Sequence, residues 1–285
     1  VAIKTNLTGG TGVRPLAGVS AIESYITHPE IVRALGELAR DAGAREILIV
    51  EAIYDWGSYQ LWGYEEVAES LDATLIDLND TDPYKDFAKT PVPDGGRIYE
   101  QFTFNHVLED IDVFMSVAKM KCHWCCGVTH TMKNLIGLVP AKHYRLSNQH
   151  NHRSAFHGPS DDYESAGTRL PRIILDLNQA RPIHLGLIDG VKTTEAGEGP
   201  WIEGIAPVEP GVLFAGKNPV ATDAVATAAM GFDPAADSLV EPFVRSDNHL
   251  QMAYELGLGT NQLEDIEIVG ASLDDVRYEF RACLG

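Results

Sequence analysis

The 285-residue chain predicts an α/β fold, a parallel or mixed sheet with helices on both faces, built as one large domain over residues 1–285. Three observations carry that expectation. Apolar runs of strand length alternate with stretches of helical period along nearly the whole chain. Neither an internal repeat nor a linker-like stretch interrupts the alternation, and polar clusters follow directly on apolar runs, where open α/β sheets bind ligands. Composition agrees: 45% hydrophobic and 22% charged residues are ordinary globular usage, which excludes collagen-like, coiled-coil and wholly disordered classes. No apolar run approaches the roughly 18 residues of a membrane-spanning helix, so no membrane partner is expected.

The elements follow in order. Val1 to Lys4 ends a short strand, and Thr8-Gly9-Gly10-Thr11-Gly12 forms a flexible loop. Thr27-His28-Pro29-Glu30 is a capping-box pattern, with Thr27 as the expected cap; Ile31, Leu35 and Leu38 repeat at helical spacing, and Gly43 ends the run. Glu46 to Val50 is a buried strand, Tyr64 to Leu71 a helix and Thr74 to Leu78 another strand. A hairpin-like segment spans Arg97 to Phe104. The strand Ile111 to Ala118 then feeds into Lys119-Met120-Lys121-Cys122-His123. A helix is expected around Val128 to Ile136, and a long His-rich irregular loop at about 142–167. Leu170 to Gln179 and Pro219 to Met230 read as helices, and His184 to Ile188, Gly211 to Ala215 and Ile266 to Val269 as strands.

Charge is distributed unevenly. The formal net charge is -19, yet Val113 to Ser160 contains no Asp or Glu, six cations and six of the ten His. That island carries +6, so the other 237 residues carry -25. An acidic surface opposes nucleic acid and anionic lipid, whereas a cationic island prepares a pocket for a small anionic ligand. Residues 1 to 22 also lack acids and contain Lys4, Asn6 and the Gly-rich loop, so the two segments are expected to line one pocket. The loop has neither the Lys-Ser/Thr ending of a P-loop nor dinucleotide spacing. Asp189 and Glu198 follow a second strand, where carboxylates serve as base or metal ligand. Asp223 stands near a helix start, where an acid is favoured by the dipole.

Four Cys are too few for a secreted disulfide framework, and no signal region opens the chain, so a reducing, cytoplasmic setting is expected. Cys122, Cys125 and Cys126, with His123 or His130, make a compact thiolate and imidazole set for a metal ion or iron-sulfur cluster. The same cysteines also read as ordinary core residues. His143, His150 and His152 lie in a loop able to fold over the site.

Several of these residues fall into ordered motifs. Lys4-x-Asn6 with Gly9-Gly10, Thr27-His28-Pro29-Glu30, Lys119-x-Lys121-x-His123, Thr129-x-Thr131-x-Lys133-Asn134-Leu135-x-Gly137 and His143 resemble the family catalogued as domain of unknown function 362. So do Asp189-Gly190, Gly197-Glu198-Gly199-Pro200, and Gly216-Lys217-Asn218-Pro219-Val220-Ala221-Thr222-Asp223 with Met230-Gly231-Phe232. The resemblance spans nearly the whole chain and implies no particular reaction. Many members resemble iron-sulfur proteins through an added ferredoxin-like module with repeated Cys motifs, which these 285 residues do not contain.

The leading expectation is an enzyme for a small carboxylate or phosphorylated substrate, with metal dependence open. Lys4, Lys121 and Lys133 would hold the anion; Asn6, Asn134, Gly9, Gly10, Thr129, Thr131 and His143 would complete its binding. His123 would move a proton or ligate a metal, with Asp189 or Glu198 as second ligand or base. Two alternatives stand beside it: a redox protein carrying a cluster or metal on the Cys group, and a non-catalytic module for an anionic metabolite.

Overall fold

The fold is that of a computed structural model, which describes residues 1–144, 155–157 and 163–284. The strands are β1 (Ala2–Lys4), β2 (Leu48–Glu51), β3 (Thr74–Asp77), β4 (Phe87–Pro91), β5 (Gln101–Asn105), β6 (Phe114–His123), β7 (Gly127–Thr129), β8 (Leu185–Glu195), β9 (Ala206–Val208) and β10 (Val212–Gly216). The helices are α1 (Pro29–Asp41), α2 (Gly57–Leu61), α3 (Tyr64–Leu71), α4 (Val107–Asp110), α5 (Ala141–Tyr144), α6 (Tyr163–Ala180), α7 (Pro219–Ala229), α8 (His249–Glu255) and α9 (Leu273–Val276).

The main sheet has the order β10-β8-β6-β1-β2-β3. Its five strands from β8 to β3 are parallel, and β10 closes one edge antiparallel to β8. Short β7 and β9 pair antiparallel with β6 and β8, while β4 and β5 form a separate hairpin. Both faces are covered, because neighbouring strand residues belong to opposite cores. Ile3 and Ile49 pack with Val32 and Leu35 of α1 and Val67 of α3. Ala2, Leu48 and Val50 belong to the core containing Leu170 and Ile174 of α6 and Val220 of α7. The chain winds from β1 outward through β2 and β3, then resumes on the opposite side of β1 with β6 and β8. Strand order therefore reverses between β1 and β6, a crevice-forming switch point.

Four local expectations are corrected. His28, not Thr27, caps α1: its Nδ1 accepts the Glu30 N–H at 3.2 Å. Thr27 is instead buried, accepting the Asn6 N–H at 3.1 Å and donating to the Val117 carbonyl at 3.0 Å, which ties the first loop to β6. β6 does not stop at Ala118 but runs to His123, because its lysines find partners inside the fold. Residues 128–136 are not one helix. Gly127, with φ +75°, reverses the chain into β7, and a 3-10 turn spans Lys133–Leu138. Between them the Asp223 carboxylate takes the N–H groups of Thr131 and Met132 at 2.9 Å each. Finally, Ile266 to Val269 makes no strand; Ile268 and Val269 are 40% and 87% exposed, so alternation there lacks a surface to bury against. Much of the loop expected at 142–167, including His150 and His152, lies outside the described residues.

Candidate functional site

A cavity of about 620 Å³ opens at the carboxyl ends of β1, β2 and β6, at the switch point. Lys4 ends β1, Glu51 ends β2, and Lys121 and His123 occupy the last turn of β6's register. The loop after β1 adds Asn6 and Gly9, β7 adds Thr129, the 3-10 turn adds Lys133 and Asn134, and the segment after β8 adds Glu198. Cys125 also reaches the wall. Ten of the residues singled out from sequence thus meet in one place, drawn from segments more than 190 positions apart.

The polar wall is organised around Lys4. Its ammonium meets Glu51 at 2.7 Å, donates to the Thr5 carbonyl at 2.7 Å and to Asn134 Oδ1 at 3.3 Å. Burial lowers the Lys4 pKa and raises that of Glu51, and the mutual attraction opposes both shifts. Asn134 Oδ1 also accepts from Asn6 Nδ2 at 3.1 Å, while its own amide donates to Ser116 Oγ at 3.1 Å. Two polar atoms of this wall are left over: Asn6 Oδ1 and Thr129 Oγ1 are buried without a hydrogen-bond partner among the described residues. Unmatched polar groups cost free energy unless something pairs with them, and both residues line the cavity.

His123 is buried, and its Nδ1 accepts the Cys125 N–H at 3.1 Å. Desolvation, followed by the charge of Lys133, pushes its pKa well below the usual value, so the ring is neutral with its proton on Nε2. It offers the cavity a hydrogen-bond donor. Glu198 accepts the Trp124 N–H at 3.0 Å and the Trp201 Nε1–H at 3.2 Å, which holds that indole on the cavity wall. Lys133 is half-buried and makes no hydrogen bond or ion pair among the described residues.

Other expected residues stand elsewhere. Asp189 is fully buried in a 2.7 Å ion pair with Lys119 and also accepts the N–H groups of His28 and Val191, away from the cavity. Thr131 is bound through N–H and hydroxyl to Asp223, whose pKa burial raises to about 7. Gly10 lies behind the wall, where a side chain would meet Asp55 at 2.5 Å. His143 packs edge-on against Phe87.

Among the described residues no three His, Cys, Asp or Glu side chains converge to hold a metal ion. Cys122 bonds the Arg281 carbonyl at 3.3 Å, and burial pushes the thiols of Cys122 and Cys126 far up. The nitrogen that His123 would need deprotonated at Nε2 is the protonated one, since Nδ1 is occupied. His130 is buried with its pKa lowered to about 3, its Nδ1 3.5 Å from Thr227 Oγ1. No disulfide joins any of the four cysteines.

Glu51 and Trp201 belong to the site and were not foreseen, and Gly137 was named only as a motif position. Glu51 had a signal, an acid ending the apolar run ILIV at a strand terminus. Gly137 shows why Gly stands there: a Cβ would lie 2.2 Å from Glu51 Oε1 and 2.7 Å from Lys4 Nζ. Gly137→Ala is therefore expected to force the Lys4–Glu51 pair apart, lowering stability by about 1–3 kcal/mol in urea unfolding, as overpacking does. A loss within 0.5 kcal/mol would mean that the wall yields freely.

Comparison with known proteins adds three findings. The family described as "Domain of unknown function (DUF362)" matches residues 1–228. The chain is 27% identical over 243 residues to the "Thylakoid-associated protein sll1697" of Synechocystis sp., covering 82% of this chain and 64% of that protein, so it spans less than two thirds of the relative's length. No solved structure matches.

Proposed function

We propose, for a chain that belongs to the DUF362 family, that it is an enzyme binding a small anionic metabolite, carboxylate or phosphorylated, in the cavity at the β1–β6 switch point. The observation that carries this reading is the surplus of unsatisfied binding groups on one wall. Among the described residues, Lys121 and Lys133 have no carboxylate partner, and Asn6 Oδ1 and Thr129 Oγ1 have no hydrogen bond. An anion would neutralise Lys133 and accept from Lys121, Thr129 and His123, and a hydroxyl or amide on it would donate to Asn6.

The test is a thermal-shift screen of pyruvate, succinate, glycerol phosphate and inorganic phosphate, repeated with Lys133→Gln. At least one anion should raise Tm, and the variant should weaken its binding about 10- to 100-fold, the worth of a hydrogen bond to a charged group. No response from any of these anions, or equal affinity in the variant, would remove the reading. Tight binding without turnover of any bound anion would instead make the chain a non-catalytic module.

The relative's name places that protein at thylakoids. For this chain we favour a reducing, cytoplasm-facing compartment, in keeping with four buried thiols and no disulfide. No described helix is long and apolar enough to cross a membrane, and a net charge of -19 opposes anionic headgroups.

A further inference from the structure

Three lysines are buried to about 1% exposure at the ends of the parallel strands, and they are not equivalent. Lys4 meets Glu51 at 2.7 Å and Lys119 meets Asp189 at 2.7 Å. Among the described residues Lys121 meets no carboxylate, and its one hydrogen bond is to the Tyr25 carbonyl. An ammonium taken out of water without a counter-charge is costly, and a lysine so placed relieves the cost by shedding its proton. The groups that act on it are Lys133 and Lys119, which disfavour the charged form, and Glu198 and Glu51, which favour it more weakly than burial opposes it. A desolvated amine beside another cation is the arrangement that makes lysine nucleophilic at neutral pH.

Its surroundings fit carbonyl chemistry. Lys121 and His123 stand at i and i+2 on one face of β6, and Thr129 is the residue directly opposite Lys121 on β7. His123 Nε2–H and the unpartnered Thr129 hydroxyl border the same cavity as the amine. Lys133 remains as the cation for an acidic substituent.

We infer that Lys121 forms an imine with a small carbonyl compound carrying an anionic group, a 2-oxo acid or a phosphorylated ketone or aldehyde. This rests on the anion-binding reading above and names the substrate class for the same cavity. The amine nitrogen attacks the carbonyl carbon, and the π pair moves to oxygen, toward which His123 and Thr129 can donate. A C–N double bond then replaces the C–O bond, and that oxygen leaves as water with the two amine protons. No oxidant or reductant is required for the condensation.

The experiment incubates the full chain with pyruvate, 2-oxoglutarate or dihydroxyacetone phosphate and sodium cyanoborohydride, then maps the adduct by peptide mass spectrometry. The expected result is one adduct, of probe mass less water plus two hydrogens, on the peptide containing Lys121. Lys121→Met, which removes the amine without adding a charge, should lose the adduct while keeping the folded circular-dichroism signal. Thermal shift with the same probes separates the two readings. Binding without an adduct at Lys121, or labelling spread over surface lysines, overturns the imine and leaves the anion site standing. Neither binding nor adduct overturns both.

Discussion

Lys119→Met is expected to destabilise the chain by about 3–5 kcal/mol, because it strands a charged Asp189 in the core. Asp189 has no exposure, and after the substitution only the N–H groups of His28 and Val191, among the described residues, would bond its carboxylate. Against a whole-domain stability of about 5–15 kcal/mol, that is about a fifth or more of the total. The double variant Lys119→Met with Asp189→Leu should recover much of the loss, since removing both charges spares the desolvation of each. Two backbone donors would stay unmatched, so recovery is incomplete. Urea unfolding measures both variants, and the anion affinities of the single variant should match those of the parent once it is folded. A loss under 1 kcal/mol would show that water reaches the pair. A selective fall in anion affinity would return Asp189 to the binding machinery.

That substitution also marks where sequence reasoning separates structure from site. The acid-free segment after Val113 and the acid-free amino terminus do meet, because β1 and β6 are adjacent parallel strands whose carboxyl ends share a crevice. Strand ends are legible as such, so Lys4, Lys121, His123 and Glu198 could be placed on one wall before any coordinates. Which lysine has a carboxylate partner is not legible. Lys119 and Lys121 have the same residue type, two positions apart and on the same strand face, yet the distant Asp189 pairs with the first alone. Partner choice depends on register between β6 and β8, which shifts between Lys119 and Lys121, and no local pattern encodes that bulge.

The cysteines are likewise spread by the fold, because spacing along a strand is not convergence in space. Cys122 points to the opposite side of β6 from Lys121 and His123, by the two-residue period, and finds the carboxy-terminal segment at Arg281. Cys126 follows in the tight turn and packs into the apolar core. Likewise the run 128–136 has helical composition, but Asp223, more than 90 residues later, captures the amides of Thr131 and Met132 and bends the segment into the cavity wall. Tertiary hydrogen bonding overrode local propensity there. The result brings Thr129, Lys133 and Asn134 to face Lys4.

Lys121→Met should stabilise the chain increasingly as pH is lowered from about 10.5, a dependence that neither Lys4 nor Lys119 should match. All three lysines have pKa values lowered by burial, but Lys121 is shifted furthest, because no carboxylate is hydrogen-bonded to it and Glu198 and Glu51 pull it back only weakly. In the unfolded chain its amine takes a proton as pH falls through the ordinary value of 10.5, whereas the folded amine accepts one only at much lower pH. Between those limits the unfolded chain holds more protons, so the parent loses stability as pH falls, with a slope of up to about 1.4 kcal/mol per pH unit. Below the folded value both states are protonated and the penalty is constant. Methionine has no proton to gain. Lys133, Lys119, Glu198 and Glu51 face the position in both proteins, so the difference between their urea-derived stability curves isolates Lys121. Losing the bond to the Tyr25 carbonyl sets a pH-independent offset of about 0.5–1.5 kcal/mol against the variant. Parallel curves between about pH 7 and 10.5 would mean that Lys121 stays charged in the fold and is no nucleophile. Divergence of the expected sign would make the unpaired amine a destabilising group that the fold retains, and the variant a more stable protein unable to capture a carbonyl compound.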